Sequence, residues 1–323
     1  MTTTLRTAVD DFVLHKKALG RKYGSEEHEL RLLVRFAEAR GTAQLGELTP
    51  GFLEGFLASR PRCRPRSFNH LLGAIRCFLE WTVSNQLLSV TPLATRRRRV
   101  TSVRVPFLFD TIQAGRLLTA AAHLPDNARA AERGSTYHTI FAISYGLGLR
   151  AGEVCGLRMG DVNFEQHLLV VRGGKFGKSR LVPYGPRMAQ LVAKQSERRR
   201  AGRSQEDVMR EPLFTFDGRR PIHPGTASQV FHKLIADLNL VVPDGVSPPR
   251  LHDLRHSFAV GRLLRWYREG VEPATRLHQL STFMGHVAPS STAVYLTITP
   301  ELLSEANRRF ETFAEASWSE VTP

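Results

Sequence analysis

Little cysteine, few aromatics and no long apolar run are the first features of this sequence. Its 323 residues include three cysteines, Cys63, Cys77 and Cys155, with no CxxC pair, so neither a disulfide framework nor a cysteine zinc site is legible. Cys77 and Cys155 lie inside apolar helical patterns and are expected to be buried small hydrophobes. No stretch approaches the roughly 18 to 20 apolar residues of a membrane span. The N-terminal MTTTLRTAVDDFVLHKK lacks a basic segment followed by an apolar core and a cleavage site, so a cytoplasmic, reduced setting without a membrane partner is expected. Aromatics are 8% of the chain, and no aromatic-rich strand motif for base stacking is present, which argues against RNA binding. Acidic residues are also scarce: 30 Asp+Glu face 45 Lys+Arg, a net charge of +15. Such an excess implies a polyanionic partner.

Hydrophobic residues at 42% exclude disorder over the whole length, and at roughly 150 residues per domain the chain is long enough for about two domains. From Leu5 to about Leu93 the pattern is helical. Leu5, Val9, Phe12 and Val13 open one core-facing stripe; Glu26 to Ala39, with Gly41 as C-cap, a second; Thr49 and Pro50 start a third. A fourth segment, Phe68 to Asn85, carries Leu71, Leu72, Ile75, Phe78 and Leu79 on one side. Next, TPLATRRRRVTSVRVP has no sustained periodicity and reads as a basic linker. Its arginines, Arg96, Arg97, Arg98 and Arg99, suit a phosphate backbone, where each neutralised phosphate releases counterions. The assigned organisation is 1–94 helical domain, 95–106 linker and 107–323 second domain. In the second domain helices are expected at Phe109 to Ala122, Thr136 to Tyr145, Pro186 to Arg200 and Thr226 to Asn239, and three more run on to Phe313. HLLVVR and RLVP read as strands joined by the glycine hairpin GGKFGKS. The fold class is mainly α with a small antiparallel β-sheet.

Four segments carry basic or nucleophilic groups. Arg150 follows the Gly146 and Gly148 turn in YGLGLRAGEV and has Glu153 as a helical ion-pair partner. Lys175 sits at the hairpin tip. His252 and Arg255, at i and i+3 in LHDLRHSF, share a helix face on which imidazole and guanidinium can converge on one phosphate. His286 follows Gly285, and Tyr295 lies nine positions on. Each signal alone also fits an ordinary structural role.

Their order, Arg, Lys, His-x-x-Arg, His, Tyr, with the contexts GLGLRAGEVCGLRMGDV, RGGKFGKSRLVP, LHDLRHSFA and LSTFMGHVAPSSTAVYL, resembles the tyrosine recombinase (phage integrase) family. The resemblance covers most of the chain. One departure is WYREGVEPATRLHQL, an insert that resembles transposon-borne members and, with no evident arm-binding domain in front, leans the reading toward a transposon or integrative-element enzyme.

What the resemblance implies is concrete. The N-terminal module is a core-binding domain that clamps duplex DNA together with an α+β catalytic domain. Tyr295 attacks a phosphodiester to give a 3′-phosphotyrosyl intermediate and a free 5′-hydroxyl, with no ATP, metal or other cofactor. Arg150 and Arg255 stabilise the transition state in place of a metal. His252 is the candidate general base, Lys175 the general acid with Lys178 second, and His286 positions the phosphate; His256 is read as structural. The partners are double-stranded DNA with specific sites and a homo-tetramer on paired sites, from protomers that are monomeric or weakly associated when free, with partner recombinases an open point. The helix from Pro300 to Ala316 is the candidate for docking on a neighbour. A type IB topoisomerase and a non-catalytic DNA-binding regulator remain alternatives at this point.

Overall fold

The computed structural model describes residues 3–101, 104–173, 179–200, 208–286, 288, 290–297, 304, 307 and 308. The chain divides into two compact units, Met1–Val103 and Arg104–Pro323. No helix among the described residues is long and apolar enough to cross a membrane.

The first unit is four helices, α1 Leu5–Ala18, α2 Gly24–Glu38, α3 Pro50–Ala58 and α4 Pro65–Ser84. Local chemistry sets their starts: Thr7 N–H donates to Thr4 Oγ1 at 3.2 Å and Phe52 N–H to Thr49 Oγ1 at 3.1 Å, each satisfying a first-turn donor. Pro65 takes the first turn of α4, so that helix begins earlier than the apolar pattern suggests. Leu5, Val9 and Phe12 meet Leu30 and Leu33 of α2 and Ile75, Phe78 and Leu79 of α4 in one core. Phe12 stands edge-on to Phe78 with ring centroids 5.6 Å apart.

Cys155 is buried, but Cys77 is exposed, contrary to the expectation. At about 100° per residue it falls opposite the stripe formed by Leu71, Ile75 and Phe78, and its apolar neighbours in sequence are not its neighbours in space. The arginine run is exposed, yet its backbone is fastened to α4. Arg98 N–H donates to Asn69 Oδ1 and Asn69 Nδ2 to Arg98 O, both at 2.8 Å. The Arg98 guanidinium lies 3.8 Å from the Phe68 ring centroid and donates to Arg62 O at 2.9 Å.

In the second unit, α5 Thr111–Ala122, α6 Arg133–Gly146 and α7 Ala151–Cys155 precede strands β1 Val162–Asn163, β2 Leu168–Val171 and β3 Arg180–Pro183. Then come α8 Pro186–Arg200, α9 Pro224–Asp237, α10 Asp253–Arg268, α11 Pro273–Met284 and the short α12 Ser290–Ala293, running into a tight turn, Val294–Thr297. The sheet is antiparallel in the order β1, β2, β3, with Leu169 opposite Val182 and Val171 opposite Arg180. Because side chains alternate along a strand, this register turns Leu169, Val171, Val182 and Arg180 to the protein side. The WYREGVEPATRLHQL stretch is mostly helical, with a short turn between two helices. It comprises the end of α10, Gly270 at φ +77° and a new start at Pro273, where Glu272 accepts from Ala274 N–H at 3.3 Å. Lys175 and Lys178, and most of the expected C-terminal helix, lie outside the described residues.

Phe78 is fully buried at the centre of the first unit. Phe78→Ala is expected to cost about 3 to 5 kcal/mol, read as a lower urea midpoint of unfolding.

Candidate active site

The site assembles where the end of α6, the start of α7, strand β3, the N-terminus of α10 and the segment after α11 meet. Gly148 takes φ +62°, and a methyl group there would run into the ring of Phe258, so only glycine permits this turn. It delivers Arg150 to the N-cap of α7, where Arg150 N–H donates to Glu153 Oε2 at 3.0 Å and Nη1 to Glu153 Oε1 at 2.7 Å. Arg150 Nη2 also donates to Gly285 O at 3.1 Å.

Glu153 has a second partner. Arg180 of β3 donates from Nη1 and Nη2 to its two carboxylate oxygens at 3.0 and 2.9 Å and from Nε to Phe283 O at 2.8 Å. Burial alone would push the Glu153 carboxyl up, but the hydrogen bonds from Arg180 and Arg150 outweigh it and hold it at about 2. Gly285 follows as the left-handed cap of α11, and a Cβ there would lie 2.7 Å from Arg180 Nη1.

Arg255 is 1% exposed and directs its donors to two carbonyls, Gly148 O at 2.6 Å and Met284 O at 2.7 Å. Burial, then the neighbouring Arg150, lowers it to about 10, which leaves it a cation at neutral pH. His252 is the N-cap of α10, and its ring meets that of His256 edge-on at 4.8 Å. His286 Nδ1 and Thr292 Oγ1 are 2.6 Å apart. The His286 ring stacks on Tyr295 at 6.3 Å and 22°. Tyr295, 4% exposed, packs with Leu263, Leu280 and Met284. Its hydroxyl is hydrogen-bonded to His256 Nδ1 at 2.8 Å. Burial raises the phenol, against the opposing pull of Arg255 and Arg150.

The structure therefore gathers Arg150, His252, Arg255, His286 and Tyr295 in one place, and adds Glu153, Arg180 and His256. It gives the tyrosine hydroxyl to His256 and not to His252, the expected base. Signals for the additions existed: His256 is one helical turn beyond His252, and Arg180 shares the inward face of β3 with Val182. The arginine run, Arg96 to Arg99, belongs to the other unit.

Comparison with known proteins places the chain in a family. The model of the phage integrase family matches residues 111–301, more than half of the chain. The chain belongs to the phage integrase family. A protein named integrase/recombinase y4rB from Sinorhizobium fredii is 33% identical over 313 residues, 96% of this chain and 98% of that protein. The tyrosine recombinase XerC of Xanthomonas campestris is 26% identical, covering 90% of this chain and 83% of that one. Among solved structures, a lambda integrase dimer bound to a COC′ core site shares the fold with TM-score 0.64 at 16% identity, over 91% of this chain and 77% of that one. The Tn1549 transposon integrase in complex with a circular intermediate DNA does so with TM-score 0.65 at 16% identity, over 97% and 100%. The protein is thus a tyrosine-type site-specific DNA recombinase, and the relaxation enzyme and the non-catalytic regulator both fall away.

The recombinase site carries a pH signature. Burial first, then neighbouring charges, lowers His256 and His286 from 6.5 to about 4. For His256 the neighbours are His252, Arg250 and Arg255, opposed by Asp253; for His286 they are chiefly Arg255 and Arg150. A depressed histidine makes the unfolded chain the better proton binder, so this stability is complete above pH 6.5 and is lost as pH falls through about 4. The thermal midpoint is expected to fall across that window, and to fall less in His286→Gln, as calorimetry at stepped pH reads directly.

Proposed function

We propose that the recombinase cuts and rejoins duplex DNA through a 3′-phosphotyrosyl bond to Tyr295, without ATP or divalent metal. The observation that carries this reading is the convergence of Arg150 and Arg255 on the carbonyls of Gly285 and Met284, next to His286, whose ring stacks on that of Tyr295. A phenol with an ordinary pKa near 10 is a poor nucleophile at neutral pH, and two fixed guanidiniums favour its anion. The same guanidiniums suit the non-bridging oxygens of a pentacovalent phosphorane, where charge accumulates as the bond forms.

Arg150 is the more accessible of the two, its side chain 26% exposed, and it meets the phosphate from outside. Arg255 holds its two carbonyl contacts and contributes field from beneath. His286, fixed by Thr292 and stacked on the Tyr295 ring, positions the phosphate for in-line attack. His252, exposed at the start of α10 beside Arg255, faces the phosphate as a hydrogen-bond donor. Lys175, which lies between β2 and β3 in the sequence, is the general acid for the departing 5′ oxygen, with Lys178 second. The phosphotyrosyl bond stores the energy of the cleaved diester, so rejoining to a partner strand's 5′-hydroxyl needs no nucleotide.

The partner is double-stranded DNA, in keeping with the DNA-bound lambda and Tn1549 integrases and the lambda integrase tetramer on a Holliday junction. Four protomers on two duplexes are the working assembly, with residues 300–316 as the segment exchanged between neighbours. The first unit, with Arg96, Arg97, Arg98 and Arg99, serves as the core-binding module. A transposon or integrative element is the genetic setting that the Tn1549 likeness favours, and a nucleoid-associated cytoplasmic location follows from the substrate.

Incubating wild type and Tyr295→Phe with nicked suicide DNA spanning the flanks of the gene, in chelator, should give a covalent band on denaturing gels for wild type alone. A band that survives Tyr295→Phe sinks the assignment. Replacing Arg96, Arg97 and Arg99 by Ser, while leaving the braced Arg98, is expected to flatten the slope of log affinity against log salt by about 0.9 for each phosphate that is no longer neutralised. A titration of DNA binding at stepped salt measures it.

A further inference from the structure

His256 carries an inference that goes past the gathered arginines and rests on reading Tyr295 as the nucleophile. Its Nδ1 is the group in hydrogen-bond contact with the reacting oxygen, at 2.8 Å, and the two rings lie 5.4 Å apart at 58°. The other side of the ring faces a fixed carboxyl group: His256 Nε2 is 4.0 Å from Asp253 Oδ1, one turn earlier in α10. Asp253 is fully buried and is clamped by Arg104 Nη2 at 2.9 Å, Arg250 N–H at 2.9 Å and Arg250 Nη2 at 3.0 Å. Nucleophile, imidazole and a carboxyl group behind it therefore stand in the order that nucleophilic catalysis uses to activate a weakly acidic hydroxyl.

We propose that His256 is the general base of strand cleavage, its Nδ1 taking the phenolic proton of Tyr295 while Asp253 holds the ring in the Nε2–H tautomer. The carboxyl group lies beyond direct hydrogen-bond distance but favours a proton on the nitrogen facing it, which leaves the Nδ1 lone pair open to the Tyr295 O–H. The groups around the imidazole are His252, Asp253, Arg250, Arg255, Tyr295 and, from the segment after α11, His286, and burial together with the cations among them keeps the ring neutral near pH 7. A base must be neutral before it can accept a proton. Arg255 is also a group that an incoming phosphate would offset, so the ring gains basicity as negative charge builds on the phosphorane. Tyr295 is 4% exposed, which favours a protein acceptor over bulk water. His252, by contrast, meets the His256 ring edge-on.

The step balances. The Oη–H proton moves to His256 Nδ1, the Oη–P bond forms, the P–O5′ bond breaks, and its electron pair leaves on O5′, which takes a proton from Lys175. In rejoining, an incoming 5′-hydroxyl forms the new P–O5′ bond and returns its proton to Lys175. Oη then leaves phosphorus and recovers its own proton from His256.

The test uses His256→Asn, whose side-chain amide can reach the Nδ1 position and keep a hydrogen bond but cannot accept a proton. Single-turnover adduct formation on suicide DNA is measured with tyrosine, and with a fluorinated tyrosine of lower phenol pKa, at position 295. The expected result is cleavage slowed by at least about a hundredfold, unchanged DNA affinity, and a larger recovery by the fluorinated residue in His256→Asn than in wild type. Cleavage within a few-fold of wild type, or the same fluorine effect in both backgrounds, overturns the proposal. Thermal unfolding checks that the variant is folded, and His256→Gln replaces it if it is not, read by the same criteria. Tyr295→Phe run alongside separates the two readings: an adduct that survives it removes the nucleophile and this base together. An adduct abolished there but undiminished in His256→Asn removes the base alone.

Discussion

The buried carboxylate of Glu153 is the group on which the catalytic unit turns. A site for a phosphodiester needs several cations close together, and cations close together repel. Glu153, its side chain 7% exposed, sits between Arg150 and Arg180 and offsets that repulsion, while its two oxygens tie the start of α7 to β3. Arg180 Nε and Arg150 Nη2, the donors not used on Glu153, extend the tie to Phe283 O and Gly285 O. Strand, short helix and the segment leading to His286 are thereby registered by one side chain. Removing one partner of such a buried pair is costly because it strands the other charge in a low dielectric. An apolar replacement could match the stability but not the positions of the cations.

Backbone carbonyls do the same work for Arg255. Gly148 and Met284 present oxygens that would otherwise need partners, and the buried guanidinium fills both roles at once. The two glycine turns therefore have a chemical purpose beyond permitting a bend. The turn at Gly148 directs a carbonyl toward one arginine and sets the next in place, and the left-handed cap at Gly285 leaves room for Arg180. His286 inherits its position from that cap and from Thr292.

Much of this was legible in the residues alone. Helical periodicity located α2, α4, α5, α6, α8 and α9 to within a few positions, while α10 and α11 were expected only as part of a helical run without bounds, and β2 and β3 were readable because Leu169, Val171 and Val182 alternate inward. β1 was not, since two residues carry no period. Arg180 is hard to see as a site residue because the glycine-rich segment just before it draws attention to Lys175. The pairing of Arg180 with Glu153 joins positions 27 apart in sequence, which no local pattern records. His256 reads as structural for a related reason: a helix face shows that His252, Arg255 and His256 are neighbours, but not which ring meets a hydroxyl 39 positions away. Cys77 misleads the other way, its apolar neighbours in sequence imitating burial.

The reciprocal clasp between Asn69 and Arg98 bears on the DNA contact proposed for the arginine run. A string of arginines on a loose tether must surrender its freedom when it settles on a phosphate backbone, at roughly 0.5 to 1.5 kcal/mol for each side chain immobilised. Here the main chain at Arg98 is already folded against α4 and one guanidinium is already stacked on Phe68. Part of that ordering is thus completed during folding, and in the proposed complex the run would meet the duplex as a shaped surface whose spacing of charge is set before contact.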